Sequence, residues 1–448
     1  MRIRGVAISL IALVFVFGAY VRRASSASFL AIYGAAAPTA TATPTSTPTP
    51  GSVETAYYLS GIGQTSYPSY ALKISGTYGQ VNLAARLGWR WLQPTKDGVY
   101  NWSALDTMQK LAHDAGAKWS LSITPGAYTP LWMFYPTGHG SYPCTASPTG
   151  IPGPTEDGPQ PPGSAPVGAL KAFQFNWQSG FVYTNGSTQC LPPPWDTAYQ
   201  TAFQSMINAV STHDGNGYGY GIKDDPSLDH IVITGVNGTT QETFLPACTT
   251  QSSTCGINSG TGPADVTQWE TDVVADGGTC TGNSLSLCPG WDNSTPSDYT
   301  TRIQTAWNTM AGYWTTAFPT KKIAFMFTDS PSFPFNSYPS VTLQKMIQHM
   351  IANNPSNSYV MNNSVSGTSP YLANKLTCYT IGNTGCLPPP AGFTQPSHAI
   401  AGQEGQAITS GSPSSCSNTA AFANMMTAAL SDESAFMEIY DQDVKCLP

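Results

Sequence analysis

Glutamate is the residue type in this sequence with the clearest chemical meaning. The chain of 448 residues contains seven glutamates, and three of them, Glu242, Glu404 and Glu438, stand in or just beyond short apolar runs. A carboxylate in such a place is costly to bury unless it is paired or functional. The whole chain offers only 18 lysines and arginines as partners. These three glutamates are therefore the leading candidates for an active site.

Two carboxylates that meet over one pocket can cleave a glycosidic bond. One carboxylic acid protonates the leaving oxygen, and a second carboxylate attacks the anomeric carbon or activates water. A separation near ~5 Å gives retention of configuration, and ~6.5–9.5 Å gives inversion. We expect Glu242 and Glu404 to form this catalytic pair. A variant of the hypothesis pairs Glu242 with Glu438, for which a hydrogen-bonding role inside the fold is equally natural.

Composition and motifs argue against several other functions. The net charge is −7 and no basic run is interleaved with aromatic residues, so we do not expect nucleic-acid binding. The sequence has no GxSxG nucleophile elbow, no HExxH zinc motif and no Walker loop. The histidines are scattered along the chain. We therefore expect no cofactor, and nothing requires a metal, although Asp441 and Asp443 after the eighth predicted strand could hold one weakly.

Short β-rich runs alternate with helical patterns from Tyr57 onward, which indicates βαβ units and a parallel sheet. The predicted strands are 57–62, 89–93, 119–124, 230–235, 323–328, 359–363, 398–403 and 436–440. Apolar stripes predict helices after an N-cap at Ser103, over 199–210, over 303–314 behind Thr295 and Pro296, over 343–351 and over 422–430.

Eight such strands predict a (β/α)8 barrel of the TIM type. A doubly wound parallel sheet is the main rival, although no Gly-rich phosphate loop follows the first strand. The helix after the sixth strand, around 369–375, is poorly marked, and no eighth helix is predicted after the last strand. Two βα loops, 125–194 and 243–295, are unusually long and would lie at the face where barrel enzymes keep their active sites.

The long loops contain six of the ten cysteines. The spacing lacks a CxxC zinc motif, so in an exported protein we expect disulfides that staple these loops. The natural pairs are sequence neighbours: Cys144–Cys190, Cys248–Cys255, Cys280–Cys288, Cys378–Cys386 and Cys416–Cys446.

Three segments resemble the early units of retaining barrel glycoside hydrolases related to β-galactosidases and endoglycanases: GWRWLQPTKDGVYNWSALDTMQKLAHDAG, SITPGAYTPLWM and LPPPWDTAYQTAFQSMINAV. The resemblance covers 89–242 and 404–440. It implies an acid/base after the fourth strand and a nucleophile after the seventh, which fall on Glu242 and Glu404. In that superfamily an asparagine commonly precedes the acid/base. Here Gln241 precedes it, and Asn237 is a second candidate for the same hydrogen bond.

Aromatic and amide side chains are expected to bind the substrate. Sugars offer apolar C–H faces to aromatic rings and hydroxyl groups to amide partners. We expect Trp132 and Trp195 as stacking platforms at the two ends of the first long loop. Asn237, Gln241 and Gln403 are expected to contact substrate hydroxyls, and Glu438 is a further candidate for substrate binding.

The amino-terminal end predicts export. Arg2 and Arg4 precede an apolar run over 5–20, which is typical of a signal peptide or an uncleaved membrane anchor. We therefore divide the chain into a signal or anchor at 1–27, a Pro/Thr-rich linker at 28–52 and a catalytic domain at 53–448. The expected location is extracellular or at the cell surface, with the amino-terminal segment in contact with the membrane.

The sequence thus predicts an exported glycoside hydrolase acting on a poly- or oligosaccharide, with a retaining mechanism implied by the resemblance. The alternative is a non-catalytic carbohydrate-binding surface protein on the same barrel fold. The sugar, the linkage and the oligomeric state are not specified by the sequence.

Overall fold

The structure is a computed structural model. It describes residues 56–59, 74–75, 79–96, 98–134, 157, 173–176, 188–237, 243, 298–327, 346, 349–350, 352–353, 358–362, 400–405 and 436–440. The predicted signal or anchor at 1–27 and the linker at 28–52 lie outside these residues. None of the helices in the described ranges combines the length and the apolar character needed to cross a bilayer.

A parallel sheet forms the centre of an α/β fold. The strands in the described residues are β1 (Ala56–Leu59), β2 (Ile74–Ser75), β3 (Gly79–Gly88), β4 (Trp119–Thr124), β5 (Phe173–Asn176), β6 (Thr188–Leu191), β7 (Leu228–Val232), β8 (Lys322–Phe327), β9 (Ser358–Asn362), β10 (Ile400–Gly405) and β11 (Met437–Tyr440).

The parallel pairing runs in a circle. Starting from β1, it passes through β3, β4, β7, β8, β9, β10 and β11, and β11 pairs with β1 again. Each of these eight strands therefore has a hydrogen-bonded neighbour on both sides. The short β2 is antiparallel to β3, and β5 and β6 form a separate antiparallel pair.

Helices flank the parallel strands. The described ones are α1 (Trp89–Leu92), α2 (Ser103–Ala115), α3 (Thr197–Thr212) and α4 (Asp298–Ala317). Short 3-10 helices cover Gly126–Tyr128, Leu131–Met133 and Ile222–Asp224. The Asp196 carboxylate caps α3 by accepting hydrogen bonds from the backbone N–H groups of Ala198 and Tyr199.

Seven of the eight predicted strands are confirmed within three residues at either end, but the second is wrong. Residues 89–93 do not form a strand. The strand is β3 (Gly79–Gly88), and the tryptophan-rich run that follows turns into α1 (Trp89–Leu92), where the Gln93 N–H bonds to the Trp89 carbonyl. Trp89 and Trp91 are both buried in this helical turn. An apolar run of this kind can be buried in a helical turn as well as in a strand, so its composition did not distinguish the two.

The predicted helices over 199–210 and 303–314 are confirmed as α3 and α4, with their apolar stripes buried. The Ser103 N-cap is wrong by one position, because Ser103 is already helical and Asn101 Oδ1 accepts hydrogen bonds from both its N–H and its hydroxyl. Within 343–351, Met346 and Met350 are helical and buried. The predictions for 295–296, 369–375 and 422–430 lie outside the described residues.

The core has an inner and an outer layer. The inner cluster joins side chains from both neighbouring and distant strands of the pairing order: Ala84, Val232, Ala324, Met326, Met361 and Phe436, with Tyr359 packed against them. In the outer layer Phe203 joins α3 to two other helices, since its ring contacts Trp89 of α1 at 5.3 Å and Trp314 of α4 at 6.2 Å between centroids.

Candidate active site

Two glutamates lie in register on neighbouring parallel strands, Glu404 near the carboxyl end of β10 and Glu438 at the second position of β11. Glu404 on β10 is the register partner of Glu438 on β11, and the next pair is Gly405 with Ile439. Neighbouring strands lie about 4.8 Å apart, so the backbones of the two glutamates are directly adjacent. The strand register therefore joins two of the three glutamates that the sequence singled out.

The Glu438 carboxylate is buried against an arginine. Only 1% of the Glu438 side chain is exposed, and its Oε2 lies 3.4 Å from Nη2 of Arg86 on β3. Burying a carboxylate is costly unless a cation or hydrogen-bond donors compensate its charge. The Arg86 guanidinium supplies a compensating positive charge. Because the Arg86 side chain is itself only 11% exposed, solvent screens this attraction little.

A second arginine and a tyrosine extend this buried polar cluster. Arg90 on α1 is fully buried. Burial raises the pKa of Tyr128 to about 12, against the opposing positive charges of Arg90 and Arg86. The Tyr128 ring packs on Trp91 with ring centroids 5.2 Å apart. Tyr128 is therefore a neutral phenol near two guanidinium groups at physiological pH.

Sequence reasoning missed both Arg86 and Arg90. The signal was present, because the two arginines interrupt the otherwise apolar run LAARLGWRWL in a chain that has few basic residues. Charged residues are almost never fully buried unless they are paired, so such an interruption points to a buried ion pair. Arg86 is on β3 and Arg90 is on α1, on either side of the point where the strand turns into the helix.

The segment after β7 is held in a tight conformation. Asn237, which is buried, accepts a hydrogen bond at Oδ1 from the Gly235 N–H at 2.6 Å. Gly235 has a φ of 134°, and a Cβ atom at this position would lie 2.5 Å from Cγ of Met310. The Thr234 hydroxyl donates to the Ile123 carbonyl of β4. The side chain of Asn237 therefore holds the backbone at Gly235 in place, and its amide oxygen Oδ1 is the acceptor in this contact.

The chain is fixed again at Thr243. Its N–H donates to the Met326 carbonyl of β8 at 2.8 Å, and its hydroxyl accepts from Trp307 Nε1 at 3.3 Å. Thr243 directly follows Glu242 in the sequence. Glu242 and Gln241 themselves lie outside the described residues, so the predicted distance between the Glu242 and Glu404 carboxylates stays a prediction.

The two predicted tryptophan platforms occupy different environments. Trp132 is 2% exposed, and its indole N–H donates to the Gln93 carbonyl at 3.1 Å. Trp195 is half-buried, immediately before the Asp196 cap of α3. Gln403 is on β10 in register with Asn362 of β9, one position before Glu404. Substrate binding by these residues stays a prediction.

The cysteine pairs also stay a prediction. Of the ten cysteines, Cys190 on β6 is the one in the described residues. In the same residues, no group of three or more His, Cys, Asp or Glu side chains is arranged to hold a metal ion.

A separate set of ion pairs lies at the amino ends of the strands. Asp225, fully buried before β7, accepts hydrogen bonds from His113 at 3.0 Å and Gln109 at 2.8 Å. Asp229 at the start of β7 pairs with Lys322 at the start of β8 at 2.9 Å. These groups are at the opposite end of β7 from Asn237, so we assign them to stability and not to the candidate site.

Comparison with known proteins gives remote structural neighbours. No protein-family model and no curated protein matches the sequence. One neighbour is the catalytic domain of a β-amylase from Paenibacillus polymyxa, with 12% identity and a TM-score of 0.40 over 81% of this chain and 87% of that one. Another is a β-galactosidase from the haloarchaeon Halorubrum lacusprofundi, with 13% identity and a TM-score of 0.36 over 80% of this chain and 48% of that one.

The neighbours do not share one chemistry. A morphinone reductase is similar at 9% identity and a TM-score of 0.39, over 86% of this chain and 82% of that one. Glycoside hydrolases are thus among the structural neighbours, at identities and TM-scores that establish neither a family nor an activity for this chain.

Proposed function

We propose that the protein is an exported glycoside hydrolase that cleaves a poly- or oligosaccharide with two carboxylates on a closed (β/α)8 barrel. The observation that carries the proposal is the register of Glu404 with Glu438 on neighbouring parallel strands. Two acidic residues adjacent on neighbouring strands, with Arg86 Nη2 3.4 Å from Glu438 Oε2, are the kind of grouping that glycosidic bond cleavage needs.

The circular strand pairing supports the closed barrel. An open doubly wound sheet has two edge strands, whereas each of the eight parallel strands here has a partner on both sides. In a barrel of parallel strands the active site lies at the carboxyl ends. Glu404 is near the carboxyl end of β10, its register partner Glu438 is the second residue of β11, and Asn237 follows the carboxyl end of β7.

In this proposal Glu242 is the acid/base and Glu404 is the nucleophile. The protonated Glu242 gives its proton to the leaving oxygen while Glu404 attacks the anomeric carbon, so the glycosidic bond breaks and an ester bond to the enzyme forms. Glu242 then removes a proton from water, which displaces Glu404 and releases the sugar with retained configuration. The hydrogen bond from Thr243 to Met326 near the carboxyl end of β8 supports Glu242 at the same edge.

Arg86 and Glu438 act as positioning residues in this scheme. Two adjacent carboxylates oppose each other's ionisation, yet a nucleophile has to be ionised. The Arg86 guanidinium offsets one negative charge at this point, which leaves Glu404 able to ionise. The 1% exposure of Glu438 favours this role over the variant in which Glu438 replaces Glu404 as nucleophile.

The remaining predicted residues complete the proposal. Trp132 and Trp195 would stack on sugar rings, while Asn237, Gln241 and Gln403 would bind hydroxyl groups. Export rests on the basic and apolar amino-terminal segment, which we propose as a membrane anchor followed by a Pro/Thr-rich tether.

The test is a hydrolysis screen of the full chain on neutral and acidic polysaccharides and on aryl glycosides. We expect turnover of at least one substrate, and a loss of at least about a thousandfold in Glu242→Gln and in Glu404→Gln. Glu54→Gln, at a glutamate that the proposal gives no role, is the matched control and should keep full activity.

The same screen distinguishes the proposed hydrolase from a non-catalytic carbohydrate-binding protein. A protein that binds a glycan in the panel and hydrolyses none is a carbohydrate-binding surface protein. A Glu438→Gln variant that abolishes turnover while Glu404→Gln retains it would move the nucleophile to Glu438.

A further inference from the structure

A groove runs along the outer side of α3 and is lined at one end by Trp132, one of the two predicted tryptophan platforms. Its volume is about 920 Å³, and it lies between the segment 93–100 and the first half of α3. This volume is in the upper part of the range of small-molecule sites, ~300–1,000 Å³. None of the described residues that line it is Glu404, Glu438 or Arg86.

The α3 wall of the groove presents a row of hydroxyl groups. Thr197, Thr201 and Ser205 are spaced four residues apart, so they share one face of the helix, and all three are exposed. Ala198 and Ala202 lie beside them, and their small side chains leave room for a ligand. The opposite face of α3 is buried in the core, so this wall is held rigidly.

The facing wall carries an aromatic ring in a fixed orientation. Tyr100 stacks on Trp102 with centroids 4.7 Å apart and an interplanar angle of 20°. Trp102 in turn stacks on His213 at 4.0 Å and 15°. Gly98, with a φ of 72°, makes the turn that leads into Tyr100, in a backbone region that other residues rarely adopt. The ring is thus preorganised at the edge of the groove.

The inner end of the groove is lined by Gln93 and Trp132. The Trp132 indole N–H is bonded to the Gln93 backbone carbonyl, which fixes the tryptophan ring in this wall. Among the described lining residues Lys96 is the one that carries a charge. The groove therefore combines aromatic rings, hydroxyl groups and an amide with little charge.

We propose that this groove binds a neutral oligosaccharide, as a carbohydrate subsite that extends the proposed substrate site outward from Trp132. The apolar C–H face of a pyranose ring packs on Tyr100. The sugar hydroxyls exchange hydrogen bonds with the hydroxyls of Thr197 and Thr201 and donate to that of Ser205, which itself donates to the Thr201 carbonyl. A chain held here leads inward along the groove to Trp132. The inference rests on the proposed function for the role of Trp132 and for the choice of sugars as probes.

The test measures binding in the full chain with the Glu404→Gln background, so that no probe is consumed. The probes are neutral hexasaccharides of glucose, galactose, mannose or xylose units, with hexagalacturonate as a charged comparison, and the method is isothermal titration calorimetry. We expect at least one neutral hexasaccharide to bind. Tyr100→Ala should weaken that binding by roughly fivefold to tenfold, because the stacking surface is lost.

A second variant keeps the test decisive if Tyr100→Ala does not fold. Thr201→Val removes one hydroxyl group and keeps the side-chain shape, and we expect it to weaken binding by about threefold to tenfold. Thr305→Val, on the exposed face of α4, is the matched control and should bind normally. Absence of binding to every neutral probe, or unchanged binding in the folded groove variants, overturns the proposal. Because the readout is binding, a failure of the hydrolysis screen leaves the test intact.

Discussion

Arg86 and Glu438 are 352 positions apart in the sequence, and their side chains form an ion pair with Nη2 and Oε2 3.4 Å apart. Arg86 is on β3 and Glu438 is on β11, and β1 pairs with both of these strands. The ion pair therefore reaches across β1 and joins the first and the last parts of the described sheet beside Glu404.

Breaking this ion pair from the arginine side should be strongly destabilising. In Arg86→Met the buried Glu438 carboxylate would lose the Arg86 guanidinium that lies 3.4 Å from it. We expect the free energy of unfolding to fall by about 3–5 kcal/mol, which is typical when one partner of a buried pair is removed. Equilibrium unfolding in urea at neutral pH measures this difference.

Two further variants show whether the effect comes from the uncompensated charge. The double variant Arg86→Met with Glu438→Leu removes both charges and should recover most of the lost stability. Lys110→Met breaks the exposed i,i+4 pair with Asp114 on α2 and should leave the free energy of unfolding almost unchanged, because solvent screens such pairs. Similar small losses in Arg86→Met and Lys110→Met would contradict a buried, compensated pair.

Gly235 should not tolerate a side chain. In Gly235→Ala the new Cβ would lie 2.5 Å from Met310 Cγ, at a φ of 134° that L-residues rarely adopt. We expect a loss of about 2–4 kcal/mol in the free energy of unfolding. The Gly235 N–H also donates to the Asn237 side chain, which is a proposed substrate-binding residue. The same variant should therefore displace Asn237 and lower activity on any substrate found in the screen.

Gly312 is the matched control for Gly235. It lies in α4, and a Cβ atom there would meet nothing within 4 Å. Gly312→Ala should therefore stabilise the protein by about 0.5–1 kcal/mol, the helix-propensity difference between the two residues. A Gly235→Ala variant as stable as the wild type would show that the turn after β7 is not as tight as described.

Stability at low pH should depend on Asp225. Burial raises the pKa of Asp225, but hydrogen bonds from Ser227, Gln109 and His113 outweigh it and hold the pKa below its ordinary value. A carboxyl group with a lowered pKa stabilises the folded state above the unfolded-state pKa of ~3.9. This contribution is lost as the pH falls through the folded-state pKa, so acid should destabilise the wild type.

The Asp225→Asn variant tests this pH dependence. It should narrow the difference in free energy of unfolding between about pH 7 and about pH 3, measured by urea unfolding at each pH. Asp114→Asn, at the exposed pair with Lys110, should leave the difference unchanged. An Asp225→Asn variant with the wild-type pH profile would mean that Asp225 is not an ionised acceptor in the fold.

Periodicity alone predicted much of the architecture. Strands such as β4 and β8 are continuous apolar or small-residue runs of about six residues, and the stripes of α3 and α4 repeat every three or four residues. These signals are local, so the sequence carries them directly. The prediction of the second strand failed because residues 89–93 have the composition of a strand. In the structure these side chains are buried by one helical turn that follows β3.

The candidate site depends on long-range relationships that no local pattern contains. Glu404 and Glu438 were recognisable as acidic residues in apolar runs, but their register is set by how β10 pairs with β11. Arg86 could be suspected only from its place inside an apolar run. Its partner Glu438 follows from the circular pairing that joins β3, β1 and β11.

The most direct test of the central claim is the identity of the carboxylate that forms the covalent glycosyl-enzyme. A 2-deoxy-2-fluoro glycosyl fluoride of the sugar found in the screen should slow the second step and leave the adduct on the protein. Intact mass and peptide mapping should then locate one sugar on Glu404, with no adduct in Glu404→Gln. An adduct on Glu438 or another residue, or inversion of configuration in the product of the wild type, would contradict the account.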